Sequence, residues 1–183
     1  MMSGPTTGVG LSTEGVARHK VAPYDVDVHA IRGEVLEMGD FAAKTMMHAL
    51  DALGRGSTTI AQFVIAADIA LVHLQRKVEG QCVQTIARHQ PPVIDLRAIV
   101  SAIRISSDLE RIGDLVKNIG KRVQAIDDQV ERRAVSVDVD RMNELVVEQF
   151  RDVLEAYGKH DRIAALDVWR RDDAVDAVHT SLF

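Results

Sequence analysis

Apolar side chains recur at intervals of three and four along most of this chain, and that interval predicts helices rather than strands. From Val28 to Leu53 the positions Ile31, Val35, Leu36, Met38, Ala42, Met46, Ala49, Leu50 and Leu53 trace one face of a first helix. Gly54-Arg55-Gly56 ends it and Ser57 caps the next. The second helix runs from about Thr58 to Arg88, with Ile60, Val64, Ala67, Leu71, Leu74, Val78, Cys82 and Ile86 as its buried stripe. Pro91-Pro92 stops it, because proline removes a donor and pushes the preceding residue out of the helical region. A third helix starts near Val93 or Asp95 and continues to about Gln129, and polar residues 127–138 are expected to form a loop. A fourth helix follows from about Val139 to Tyr157. The turn Gly158–Asp161 leads to a fifth, which begins near Arg162 and runs to the end. No segment alternates long enough to predict a strand. Residues 1–24, rich in Gly, Ser and Thr, are expected to be a disordered tail.

The third helix is predicted to change its buried face partway along. Leu96, Ile99, Val100 and Ile103 form one stripe, and Leu109, Ile112, Val116, Ile119, Val123 and Ile126 form another on the opposite side. Ala102, Ser106, Gly113 and Gly120 run down a flank. Such a strip lets a neighbouring helix come close, and it accounts for two glycines that each cost about 1 kcal/mol in a helix.

The chain also repeats itself at an offset of 104 residues. Leu50-Asp-Ala-Leu-Gly-Arg lines up with Leu154-Glu-Ala-Tyr-Gly-Lys, Ala61 with Ala165, Asp68 with Asp172, Ala70 with Ala174 and Leu71 with Val175. A duplication on this offset makes helices one to three a complete unit (residues 25–130) and helices four and five two-thirds of a second (137–183). The fold expected is all-α: two tandem three-helix bundles, the second lacking its last helix. Apolar stripes left open by that gap are expected to be covered by dimerisation or exchange of helices between chains.

Composition narrows the function. Aromatics are only 4% of 183 residues, so the core must be aliphatic, and a net charge of −5 argues against a nucleic-acid binder relying on a basic face. Cys82 is the only cysteine, which points to a reducing, cytoplasmic setting. No apolar run reaches the ~18 residues that a membrane span needs, and no apolar stretch of a signal peptide follows the start. The seven histidines show no metalloprotease spacing, and no phosphate-binding glycine loop or nucleophile elbow is present, so no enzymatic activity is expected.

The chemistry concentrates in residues 106–122. Glu110 and Asp114 stand four apart on the third helix, one turn above the other, with Asn118 a turn further on. Two stacked carboxylates repel, and a cation between them would reverse that cost. On the second helix Asp68 and Glu79 share a stripe with Val72 and Gln75, and antiparallel packing could bring either acid to the Glu110/Asp114 pair. Hard oxygen ligands suit Mg²⁺, Ca²⁺ or Mn²⁺; Zn or Fe would need water, hydroxide or a second protein to fill the sphere. A solvated face with weak ion pairs to Lys117 and Arg111 is the plainer account of the same spacing. The helix phase puts the carboxylates on the bundle surface, away from the second stripe.

Asp108-Leu-Glu-Arg-Ile-Gly-Asp-Leu-Val-Lys-Asn-Ile resembles the signature of the PhoU family, bacterial regulators of phosphate signalling. Ile86-Ala-Arg-His-Gln-Pro-Pro with Asp95-Leu-Arg97, and Ile31-Arg-Gly-Glu-Val-Leu-Glu-Met-Gly, resemble it at matching distances, so that the likeness covers roughly residues 25–183. The resemblance implies two three-helix bundles, each with a Glu/Asp-x-x-x-Asp motif, some family members holding multinuclear metal clusters there. Glu110 and Asp114 would be the first motif, with Asp68 and Glu79 keeping the acidic character of helix two and Val72 and Gln75 departing from it. The second motif would fall beyond position 183, and Asp172 and Asp176 would be what remains of the second acidic face. The implied role is negative regulation of phosphate-starvation signalling and uptake. The implied partners are a sensor histidine kinase and the ATPase subunit of the phosphate ABC transporter, with only peripheral association to those membrane complexes. The alternative is a metal-binding helical bundle protein without a signalling role.

Overall fold

Proline at the first position of a helix loses nothing, because that N–H has no partner inside the helix, and Pro23 opens α1 (Pro23–Arg55) in this way. The computed structural model describes residues 23–126 and 129–181, so the N-terminal tail expected over 1–24 lies outside the described residues except for Pro23 and Tyr24, which are helical. α2 (Thr58–His89) is capped by Ser57, whose Oγ accepts the N–H of Ile60 at 3.3 Å, and ends at Gln90 in the left-handed region (φ 46°). Pro91 and Pro92 then turn the chain into α3 (Val93–Ala125). α4 spans Gln129–Lys159, α5 Arg162–Arg170 and α6 Asp172–Ser181, and the described residues contain no strand.

Two boundaries differ from those expected. The segment 127–138, expected as a loop, is helical from Gln129; Val130, Ala134 and Val137 follow one another at steps of four and three, a helical interval within a stretch read as polar. The fifth helix is two: Arg171 leaves the helical path (φ −81°, ψ −3°) while its N–H reaches the carbonyls of both Asp167 and Val168, a local tightening that separates α5 from α6.

α1, α2 and α3 pack into a three-helix bundle whose core runs its full length in three layers. Met38, Leu71, Ile99, Val35, Val64, Val78 and Val123 are its largest fully buried apolar side chains, aliphatic as the composition required. The expected switch of face on α3 is not found. Ile99, Ala102, Ser106, Leu109, Gly113, Val116, Gly120 and Val123 are all buried and form one straight seam at alternating steps of three and four. The small residues lie in that seam, not beside it. A Cβ at Gly113 would run into Leu71 Cδ1, and one at Gly120 would come within 3.2 Å of the Ala61 carbonyl, so the two glycines bring α2 and α3 into close contact.

α2 is also long and apolar enough to cross a membrane by length and composition, with a mean hydropathy of 1.4 in its most apolar window, contrary to the expectation from apolar runs. Here it lies in the bundle against α1 and α3, with Ala61, Val64, Ala67, Leu71, Val78 and Cys82 in the core.

The 104-residue repeat is visible in geometry. Ser57 N–H bonds to Ala52 O (3.0 Å) and Gly56 N–H to Leu53 O (3.4 Å); Asp161 N–H bonds to Ala156 O (2.9 Å) and His160 N–H to Tyr157 O (3.3 Å). These are two copies of one helix-ending motif, each with its third residue left-handed, Gly56 at φ 63° and His160 at φ 55°. Each is followed by a helix cap, Ser57 in one and Asp161 in the other. α4 packs on α1, and where they meet Arg151 Nη2 donates to Met47 Sδ at 3.1 Å, two residues 104 apart. Met46 and Phe150, the same interval apart, share one core cluster. Residues meeting their own counterparts are the mark of a two-fold-like contact. α5 and α6 contact α4 and each other, bury no side chain fully, and leave Ile163, Leu166 and Trp169 exposed.

Candidate functional site

The seam of α3 fixes where its polar residues go. Glu110, Asp114 and Lys117 each follow a buried seam position by one residue and stand on its flank. They are half-buried there, not on the face opposite the core. Asn118 is exposed. Because α2 runs antiparallel to α3, with Leu71 against Gly113 and Ala61 against Gly120, Asp68 comes level with this flank.

Lys117 fills the space between the acids. Its Nζ lies 2.8 Å from Asp68 Oδ2 and 2.5 Å from Asp114 Oδ1. The Asp68 and Lys117 side chains are only 14% and 21% exposed, against 49% for Asp114, so the clasp between the helices is better shielded than the pair within α3. The Lys117 hydrogen bond, and then its charge, hold the Asp114 carboxyl below the usual range. Hydrogen bonds to Asp114 and then Asp68 push the lysine up to about 12. The depressed carboxyl contributes stability above its unfolded pKa and loses it as pH falls through the folded value. The raised ammonium contributes below its unfolded pKa and loses that only as pH climbs through about 12. The clasp is therefore sensitive to acid and indifferent to mild alkali.

Of the acids picked out by spacing, the fold brings Asp68 to Asp114. Glu79 lies three turns along α2 and accepts a hydrogen bond from Gln75 Nε2 at 3.2 Å. Glu110 makes no ion pair or hydrogen bond among the described residues. No three Asp, Glu, His or Cys side chains gather closely enough among the described residues to hold a metal unaided. Two carboxylates do converge, and Asp68 Oδ1 is buried with no partner, so the donor set fits a hard cation in part, in the place Lys117 now occupies.

Spacing gave the pairing of Lys117 with the α3 acids but missed its bond to Asp68, which sits on another helix. It also missed a polar cleft between α1 and α2. There Lys77 Nζ pairs with Glu34 Oε1 at 2.9 Å, Gln81 Nε2 donates to the same oxygen at 2.6 Å, and Arg88 and His89 both reach Asp27 Oδ2 at 2.9 Å. A separate apolar groove of about 490 Å³ opens where Ile105, Leu109 and Ile112 of α3 face Phe150, Val153 and Tyr157 of α4.

The chain matches the PhoU domain twice, over residues 35–123 and 139–183, segments that begin 104 residues apart. It is 36% identical over 168 residues to the phosphate-specific transport system accessory protein PhoU homolog of Caulobacter vibrioides, spanning 92% of this chain and 73% of that protein. It is 34% identical to the Rhizobium meliloti homolog of the same name, over 90% of this chain and 70% of that one. The crystal structure of the phosphate transport system regulatory protein PhoU from Streptococcus pneumoniae superposes with a TM-score of 0.80 at 28% identity, covering 87% of this chain and 74% of that one. PhoU from Pseudomonas aeruginosa superposes with a TM-score of 0.79 at 27% identity, covering 86% and 76%.

Proposed function

The chain belongs to the PhoU family, and from that membership we propose that it restrains phosphate-starvation signalling and phosphate uptake as an adaptor. Its partners in this proposal are the ATPase subunit of the phosphate ABC transporter and a sensor histidine kinase, met from the cytoplasmic side without entering the membrane. The observation that carries the reading is the α2–α3 flank. Asp68 and Asp114 are fixed by one lysine, while Glu110, half-buried and unpaired, stays free to accept a basic side chain from a partner. A surface held by one inter-helix ion pair, with an unused carboxylate beside it, suits docking rather than turnover. Deleting the gene in its native host is expected to raise phosphate-regulon expression at high phosphate; unchanged expression would sink the proposal. Re-supplying the Glu110→Lys variant is expected to fail to restore repression while shifting stability by no more than about 0.5 kcal/mol, since Glu110 holds nothing in the fold. Full restoration would move the docking surface elsewhere.

A metal-binding role without signalling is the second reading, and the unpartnered Asp68 Oδ1 favours it. A divalent cation, Mg²⁺ or Mn²⁺ first, would have to displace Lys117, with Zn or Fe needing added water or hydroxide. In calorimetric titrations with Mn²⁺, Lys117→Met is expected to tighten binding by about tenfold or more and Asp68→Asn to abolish it. Affinity indifferent to both changes would take these residues out of any metal site. Glu79 and Asn118 stand outside the converging pair.

We further propose a homodimer. Ile163, Leu166 and Trp169 are 81%, 46% and 74% exposed beside the apolar groove, a combination that a second copy would cover. Sedimentation equilibrium giving a single monomer mass at micromolar concentration would count against it.

A further inference from the structure

A second, smaller cleft of about 200 Å³ lies where the first halves of α1 and α3 meet the end of α4. Its apolar floor includes Ile31 and Ile99, both buried. Its polar lining is Arg32 from α1, Ser101 from α3, and Tyr157 and His160 from the end of α4, with no Asp or Glu among the lining residues. That absence is unusual in a chain of net charge −5.

Arg32 is the odd member. Among the described residues every other arginine without a carboxylate partner is exposed, whereas Arg32 is half-buried and makes no ion pair. No carboxylate claims its guanidinium, which is left to pair with an anion from solution. The guanidinium is close enough to the Tyr157 phenol to act on it: burial pushes that phenol up, the larger effect, and the positive charge of Arg32 pulls it back. The hydroxyl therefore stays protonated and can donate.

His160 supplies an independent sign. It takes the left-handed turn that its counterpart Gly56 takes in the first copy, at φ 55° against 63°. Glycine takes that region at the least cost, and any side chain placed there gives up some stability. Gly56 meets no such demand, but at the second turn an imidazole is kept at the mouth of the cleft. We propose that this cleft binds a single small oxyanion, gripped by the Arg32 guanidinium and by donors from Tyr157 and His160. A planar guanidinium presents paired N–H donors that match the paired oxygens of phosphate or carboxylate. Ser101, whose hydroxyl donates to the Arg97 carbonyl at 2.8 Å, forms part of the wall.

The inference stands apart from the adaptor reading, since it concerns the purified chain alone. The test is amide-shift NMR of the full chain titrated separately with inorganic phosphate, sulfate and acetate. Saturable shifts confined to residues near 31–32, 101–102 and 157–160 are expected with at least one ion; acetate alone would mark a carboxylate ligand, phosphate or sulfate a tetrahedral one. Arg32→Gln should weaken that binding about tenfold. His160→Gly should weaken it while raising the melting temperature, because glycine relieves the turn, so lost binding in that variant cannot be blamed on misfolding. No saturable shift up to about 20 mM of any of the three ions, or binding unchanged in both variants, would overturn the proposal. Either outcome leaves the regulatory assay in cells to be judged separately.

Discussion

Leu71→Ala is expected to lower folding stability by about 2–5 kcal/mol, a large share of the roughly 5–15 kcal/mol that holds a domain of this kind together. Leu71 is fully buried at the centre of the largest core cluster, and its terminal methyl occupies the space a Cβ would take at Gly113. Removing it therefore opens a cavity in the notch beside Gly113, and closely packed helices have little room to collapse into it. Gly113→Ala gives the reciprocal result. On an isolated helix it would gain about 1 kcal/mol. Here its new methyl meets Leu71, and the overpacking is expected to reverse the sign, at a cost of about 1–3 kcal/mol. The double variant should lose clearly less than the sum of the singles, because the added methyl partly fills the hole the leucine left. Urea denaturation of all four proteins checks this; strict additivity would mean that Leu71 and Gly113 do not share the notch.

That notch also explains how far the sequence could be read. The three helices of the first bundle, their Ser57 cap and their Gly56 and Pro91-Pro92 stops were legible because periodicity and turn chemistry are local. The seam of α3 was not, because a hydrophobic stripe is drawn through large side chains. The seam alternates large residues with Ala102, Ser106, Gly113 and Gly120, which score as blanks. The stripe therefore veered to the half-buried Ile103 on one side and to Ile112 and Ile119 on the other, and predicted a change of face that does not exist. The same error carried Glu110 and Asp114 out to the surface, when they stand at the flank within reach of α2. Asp68 could be nominated from its stripe. Lys117 could not be seen as the cation between the two acids, because its bond to Asp68 joins residues 49 apart. His160 carried no signal of its own in the turn Gly158–Asp161; its left-handed backbone is found in the structure, at the position that Gly56 holds 104 residues earlier.

Leu154→Ala is expected to release α4, α5 and α6 from the first bundle while leaving that bundle folded. Over residues 139–159 of α4 only Leu154 and Ala156 are buried, and α5 and α6 have none, so this stretch of the second unit hangs on few side chains. Leu154 sits in the groove left by Gly39 of α1, where a Cβ would lie 2.8 Å from Cδ1 and 3.2 Å from Cγ. Truncating the leucine should cost about 2–5 kcal/mol at that contact, and Gly39→Ala about 1–3 kcal/mol by displacing α4. Hydrogen exchange provides the readout. Amides of 139–181 should exchange far faster in either variant while those of α1, α2 and α3 keep their protection, because local stability follows the buried contacts of each unit. Pairing the two changes should recover part of the loss, the new methyl at position 39 entering the space the leucine vacates. Equal loss of protection in α1, α2 and α3 would mean that the two halves fold as one cooperative body. In that case the contact of α1 with α4, where Met47 meets Arg151, is part of the core and not a joint between repeats.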